Sequence, residues 1–116
     1  MTNVLGTKNI MQACKENKVK KIIHFSTDEI YGEIFKGSFN ENDRFNPSNP
    51  YSSSKAAAEM IVNGYIHSYK LPVIIVRANN IFGTRQHPEK LISGCCWSFI
   101  KNKNFTIHGK GFQRRT

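Results

Sequence analysis

Two short stretches hold groups that could move protons. The first, Ser26-Thr27-Asp28-Glu29, sets a hydroxyl beside two carboxyls. The second, Tyr51-Ser52-Ser53-Ser54-Lys55, places a phenol and an ammonium four residues apart, which in a helix projects both from one face. A phenol alone is a poor base near neutral pH, and a nearby ammonium favours its phenolate form. Eliminating water needs an acid on the departing hydroxyl and a base for a carbon-bound proton. Adjacent carboxyls can share out those roles, because one charge disfavours the other. Each stretch also has a plainer reading. Asp and Glu are common in turns after strands, and Tyr and Lys are common on exposed helix faces.

The elements that would position these groups follow from periodicity. Residues 20–26 read as a strand, whose run of Ile22, Ile23 and Phe25 suits a parallel strand covered on both faces. Its C-terminal end, where open α/β sheets hold ligands, delivers Ser26 to Glu29. Residues 27–49 form a long connection with Gly32, Gly37, several Asn and Pro47; connections of this length are usually functional. Glu41 and Asp43 within it read as surface residues. Residues 50–69 read as a helix rich in good helix formers, among them Ala56, Ala57, Ala58, Glu59 and Met60. Residues 2–17 read as a helix with a broad apolar side of Val4, Leu5, Ile10, Met11 and Cys14. Residues 71–77 give a second apolar strand, 79–89 a loop, 90–102 a helix and 105–108 a short strand. Helices alternating with apolar strands predict βαβ units and a parallel sheet.

Composition bounds the partners. The 116 residues carry a net charge of +9, which suits anionic ligands. The basic tracts are not interleaved with aromatics and no nucleic-acid-binding motif is present, so no nucleic-acid partner is expected. No apolar run approaches the ~20 residues of a spanning helix, and the start has no signal-peptide pattern, so no membrane partner is expected. Cys14, Cys95 and Cys96 fit no disulfide or zinc framework, which predicts reduced thiols and a cytoplasmic setting. His24, His67, His87 and His108 lie too far apart for a metal-ligand pattern, and no metal is expected.

STDEIYG (residues 26–32) followed by YSSSK (51–55) resembles the extended short-chain dehydrogenase/reductase family. The acidic pair after Thr27 points within it to the nucleotide-sugar 4,6-dehydratases acting on dTDP-glucose or UDP-glucose. NVLGT (3–7), RANNIFGTRQHPEKLI (77–92) and IHGKGFQRRT (107–116) resemble further segments of the same enzymes, in the same order. The resemblance covers nearly the whole chain. It implies an α/β fold: part of a Rossmann-like, doubly wound parallel sheet. Residues 1–116 would form the central-to-late portion of an NAD-dependent epimerase/dehydratase domain. The N-terminal strands with their glycine loop and the C-terminal substrate domain would lie outside it. No glycine-rich dinucleotide loop occurs in the sequence, so the chain is expected to be a fragment that does not turn over alone.

The resemblance also assigns roles. NAD is the implied cofactor, with Ser26, Tyr51 and Lys55 as its contacts and Lys55 on the nicotinamide ribose. Tyr51 would be the base for a sugar hydroxyl at C4, and Thr27 would hydrogen-bond that hydroxyl. Asp28 would act as acid toward the C6 hydroxyl and Glu29 as base toward C5. Asn3 would help order a relay water, unless it simply caps its helix. The nucleotide-diphosphate sugar would be bound by Thr27, Asn80, Glu89, Lys90, Leu91, Thr106, His108 and Arg115. Arginine's planar fork suits phosphate oxygens, a reading favoured for Arg115 over a plain basic surface pair of Arg114 and Arg115. Ser93 stands where the family has proline and Gly94 follows it, which leaves the local helix start open. A homodimer of the full-length enzyme, paired through the helix carrying Tyr51, is expected. Two other functions fit less of the pattern: a nucleotide-sugar epimerase or related reductase on the same scaffold, and an inactive basic binding protein derived from a truncated enzyme.

Overall fold

The computed structural model describes residues 2–107. The chain divides into two compact units, Met1–Asn79 and Asn80–Thr116.

The first unit contains a π-helical turn at Thr2–Gly6 that runs into helix α1 (Thr7–Glu16), strand β1 (Ile22–Thr27), helix α2 (Pro50–Tyr69) and strand β2 (Val73–Ala78). The two strands pair in parallel, from Ile22 opposite Val73 to Thr27 opposite Ala78. Parallel neighbours need a crossover, which α2 supplies. Its N-terminus therefore returns to the C-terminal edge of the sheet, where β1 ends. The expected α/β architecture with a parallel sheet is what the chain adopts, and the expected helix at 50–69 matches α2 residue for residue.

Successive side chains of a strand point to opposite faces. Ile22, with Val73 and Ile75 on the partner strand, packs into a core with Met11 of α1 and Val62 of α2; Cys14, Val19, Tyr65, Ile66 and Leu71 close around it. On the other face Ile23 and Phe25 are each 55% exposed and Ile74 is 53% exposed. The expectation of a strand covered on both faces is thus corrected: within the first unit, helices pack on only one face. The apolar side expected for the first helix is corrected likewise. Met11 is buried, but Leu5 and Ile10 are exposed, because only a narrow stripe of α1 meets α2.

In the second unit, helix α3 spans Leu91–Ile100, shorter at both ends than expected. Ser93, standing where a proline would, sits inside the first turn; its hydroxyl donates to the carbonyls of His87 (2.8 Å) and Lys90 (3.1 Å). Gly94 is buried, and a Cβ there would strike the Pro88 carbonyl oxygen. Gly94 thus lets the chain before α3 fold back onto the helix. The strand expected at 105–108 is not formed at residues 105–107, and His108 lies outside the described residues. Among the described residues no helix is long and apolar enough to cross a membrane.

Candidate functional site

β1 ends at Thr27, and the chain turns at once into a single 3-10 turn, Asp28–Tyr31. Thr27 caps that turn. Its Oγ1 accepts from the Glu29 amide (3.3 Å) and donates to Asp28 Oδ1 (3.1 Å). The turn closes at Gly32, whose φ is +90° and whose Cβ, if present, would run into the Asn46 carbonyl oxygen. Both conditions select glycine. The returning loop is tied to the turn by the Asn46 amide, which donates to the Ile30 carbonyl at 2.9 Å.

α2 begins where its sequence says it should. Asn49 Oδ1 accepts from the Ser52 amide (2.8 Å), and Ser52 Oγ accepts from the Asn49 amide (3.2 Å). This is a reciprocal capping box with Pro50 at the first helical position. Asn49 has a second duty: its Nδ2 donates to Glu29 Oε2 at 3.4 Å. The helix cap is thereby joined to the acidic turn. Lys55, one turn further along α2, donates from Nζ to the Phe25 carbonyl of β1 at 2.7 Å. Asn3 Nδ2 donates to Ser54 Oγ (2.9 Å), which donates in turn to the Tyr51 carbonyl (2.7 Å). Asn3 is therefore not the cap of α1, a position held by Gly6. It braces the start of α2. Tyr51 is 53% exposed. Thr27, Asp28, Glu29 and Lys55 thus belong to a hydrogen-bonded frame at the C-terminal rim of the sheet, which Tyr51 joins through its carbonyl and not through its phenol. Ser26 is buried on the opposite face of β1 from Thr27, and its Oγ has no hydrogen-bond partner among the described residues.

Two charged residues without a sequence-derived role lie behind this frame. Glu59, 0% exposed, is held by Arg77 through Nε (3.0 and 3.3 Å) and Nη2 (2.6 Å). Arg77 Nη1 also donates to the Tyr31 hydroxyl and to the Glu41 carbonyl (2.6 Å). The guanidinium lies over the Phe45 ring at 5.0 Å. Its pKa is raised, mainly by hydrogen bonding to Glu59, against the opposing effect of burial. A signal for this pair existed. Arg77 is the lone charge in the apolar run of β2, and Glu59 sits in the apolar stretch 56–62 of α2; charged residues are rarely buried unless paired. Glu59 also continues the spacing of four from Tyr51 and Lys55.

His24 lies on the covered face of β1, and its Nε2 is buried without a partner among the described residues. Burial first, then the Lys55 ammonium, holds its pKa below the ordinary 6.5, while Glu59 pulls the other way. Between that lowered value and 6.5 the unfolded chain binds more protons than the folded one. Stability should therefore fall as the pH drops from 6.5 through the folded value and level off below it. Urea midpoints at about pH 7 and about pH 5 should differ less in His24→Gln than in the parent chain. An unchanged difference would place the slope on another group.

The other expected site residues belong to the second unit. Asn80, Glu89, Lys90, Leu91 and Thr106 are exposed. Glu89 Oε1 pairs with Lys90 Nζ at 3.2 Å, a surface ion pair, which contributes little to stability. A groove lined by Phe82, Arg85, Pro88, Ile92, Cys96 and Trp97 opens beside α3. His108 and Arg115 lie outside the described residues.

The family model described as NAD dependent epimerase/dehydratase family matches residues 1–116. A dTDP-D-glucose 4,6-dehydratase of Dictyostelium discoideum is 47% identical over 124 residues, covering 97% of this chain and 29% of that protein. Among solved structures, DesIV, a dTDP-glucose 4,6-dehydratase from Streptomyces venezuelae with NAD and TYD bound, superposes with a TM-score of 0.82. It is 39% identical, with 87% of this chain and 31% of that one covered. A UDP-glucuronic acid 4-epimerase from Bacillus cereus, in complex with UDP-glucuronic acid and NAD, gives a TM-score of 0.87. It is 32% identical, over 96% of this chain and 35% of that one. The chain thus spans about a third of the length of the proteins it matches.

Proposed function

The chain belongs to the NAD dependent epimerase/dehydratase family, and from that premise we propose that it carries the proton-transfer centre of a nucleotide-sugar 4,6-dehydratase. Residues 1–116 would be the central-to-late portion of that enzyme's dinucleotide-binding domain. The observation that carries this reading is the Asp28–Glu29 turn bound to the cap of the helix that bears Tyr51 and Lys55. A dehydratase needs two carboxyls beside a phenol and an ammonium. A C4 epimerase, which loses no water and removes no proton from C5, has no use for an acid and base of this kind.

The donor set fits NAD. Lys55 spends one of its three N–H bonds on Phe25, leaving two for a ribose. Tyr51 is half exposed; Ser26, with its Oγ buried, would meet the cofactor through its backbone. When bound, NAD supplies reversible removal of hydride from the sugar. Tyr51 takes the proton of the C4 hydroxyl, which Thr27 steadies by hydrogen bonding. The resulting ketone acidifies the neighbouring C5 proton, which Glu29 removes. Asp28 protonates the C6 hydroxyl, and that oxygen leaves as water. Return of the hydride to C6 and of a proton to C5 would then give a 4-keto-6-deoxy sugar still attached to its nucleotide. Asn80, Glu89, Lys90, Leu91, Thr106, His108 and Arg115 would contact the nucleotide-diphosphate sugar. Pairing of full-length subunits through α2, in the cytoplasm, completes the proposal.

The test exchanges this chain for the matching stretch of the Dictyostelium discoideum dehydratase. The chimera should convert dTDP-glucose to the 4-keto-6-deoxy sugar with a mass loss of one water. A C4 epimer with no mass change would favour the epimerase reading. A folded chimera that binds NAD but turns over neither way would defeat both.

A further inference from the structure

We propose that Arg77 is a positioning residue that sets the spacing between the two halves of the proton-transfer set. The proposal rests on the function assigned above to those residues. One half, Tyr51 and Lys55, sits on α2; the other, Asp28 and Glu29, sits on the turn after β1. The Asn49–Glu29 bond joins them directly, but at 3.4 Å between exposed side chains it is a weak tie. Arg77 joins them from behind with stronger contacts. Its fork grips the buried carboxylate of Glu59, two helical turns along α2 from Tyr51. Its Nη1 reaches Tyr31, the last residue of the acidic turn, and the carbonyl of Glu41 in the returning loop.

The surroundings make this tie rigid. Tyr31 is buried, stacked on Phe39 at 5.1 Å and edge-on to Phe45 at 6.1 Å. The guanidinium lies over the rings of both Tyr31 and Phe45. Arg77 is itself fixed in β2, where it pairs with Ser26 of β1. One planar cation therefore links helix, turn, loop and sheet. A lysine could keep the charge but not the fork, since it lacks donors held at fixed angles. A misplacement of about 1 Å between reacting groups is enough to cost about a hundredfold in rate, so such a link bears on catalysis without touching substrate.

Amide hydrogen exchange on the full 116-residue chain tests the tie without reference to activity. In Arg77→Lys the amides of Gly32 and Asn46, which close the turn and loop, should exchange about tenfold faster or more, the loss expected for a hydrogen bond to a charged group. Amides in the middle of α2, around Val62, should stay within about twofold. Tyr31→Phe removes only the hydroxyl contact, so it should loosen the same turn and loop amides and leave α2 alone, even if Arg77→Lys proves too unstable to examine. Equal acceleration at every amide, or none at the turn, would overturn the proposal. In the chimera, Arg77→Lys should lower kcat by about ten- to a hundredfold and leave KM for dTDP-glucose within about twofold. A rise in KM with kcat unchanged would also overturn it. If the unsubstituted chimera is inactive, the functional reading fails while the exchange result still decides the tie.

Discussion

Replacing Glu29 by glutamine in the chimera should abolish loss of water while leaving nucleotide-sugar binding intact. The amide cannot take a proton from carbon, and removal of a positioned general base costs typically about 10²–10⁴ in rate. The fold should be spared. A glutamine oxygen can still accept from Asn49 Nδ2, the contact Glu29 makes now, and Glu29 is only part-buried beside the turn. Two measurements check the outcome: formation of the 4-keto-6-deoxy sugar, and uptake of deuterium at C5 from heavy water. Both should be lost. Normal turnover in Glu29→Gln would move the base to another residue.

Tyr51→Phe should cost a similar factor, about 10²–10⁴, at an earlier point in the sequence of proton transfers. Without the phenol the C4 hydroxyl keeps its proton, no ketone forms and the C5 proton is never acidified. The two variants would then look alike with dTDP-glucose. They separate when each is given the ready-made 4-keto-6-deoxy product in heavy water. Tyr51→Phe should still exchange the C5 proton of that ketone, and Glu29→Gln should not. Loss of exchange in both would mean that Tyr51 serves the C5 proton as well. Because the Tyr51 side chain is half exposed and donates no hydrogen bond among the described residues, its replacement should change stability by no more than about 0.5 kcal/mol.

Much of this frame can be read from local sequence, and the reason is local physics. α2 begins at Pro50 because Asn49, Pro50 and Ser52 together make a cap that needs no tertiary partner. β1 and β2 are apolar runs bounded by polar residues, and a helix between them implies parallel pairing. The errors arise where packing decides. Ile23 and Phe25 are as apolar as Ile22, and only the placement of α1 and α2 on one side separates buried from exposed. The 3-10 turn at Asp28–Tyr31 depends on a threonine cap and on Gly32 passing close to Asn46, a contact between residues far apart in sequence. The Arg77–Glu59 pair joins positions 18 residues apart across α2 and β2. RANNIFG places Arg77 in a recognisable segment, yet nothing in that segment names its acidic partner.

Lys55 is moored to a peptide oxygen of β1. A carboxylate in the same place would have fixed the side chain equally well but neutralised it. With a neutral mooring the ammonium keeps its full formal charge, and the adjoining N-terminus of α2 adds a partial charge of the same sign. The rim therefore sets a cation and a helix N-terminus beside the carboxyls of Asp28 and Glu29, so charges of both signs stand in place before any ligand arrives. The net charge of +9 over the whole chain acts at longer range, so capture of a diphosphate from solution should slow as ionic strength rises, even where the proton transfers that follow do not.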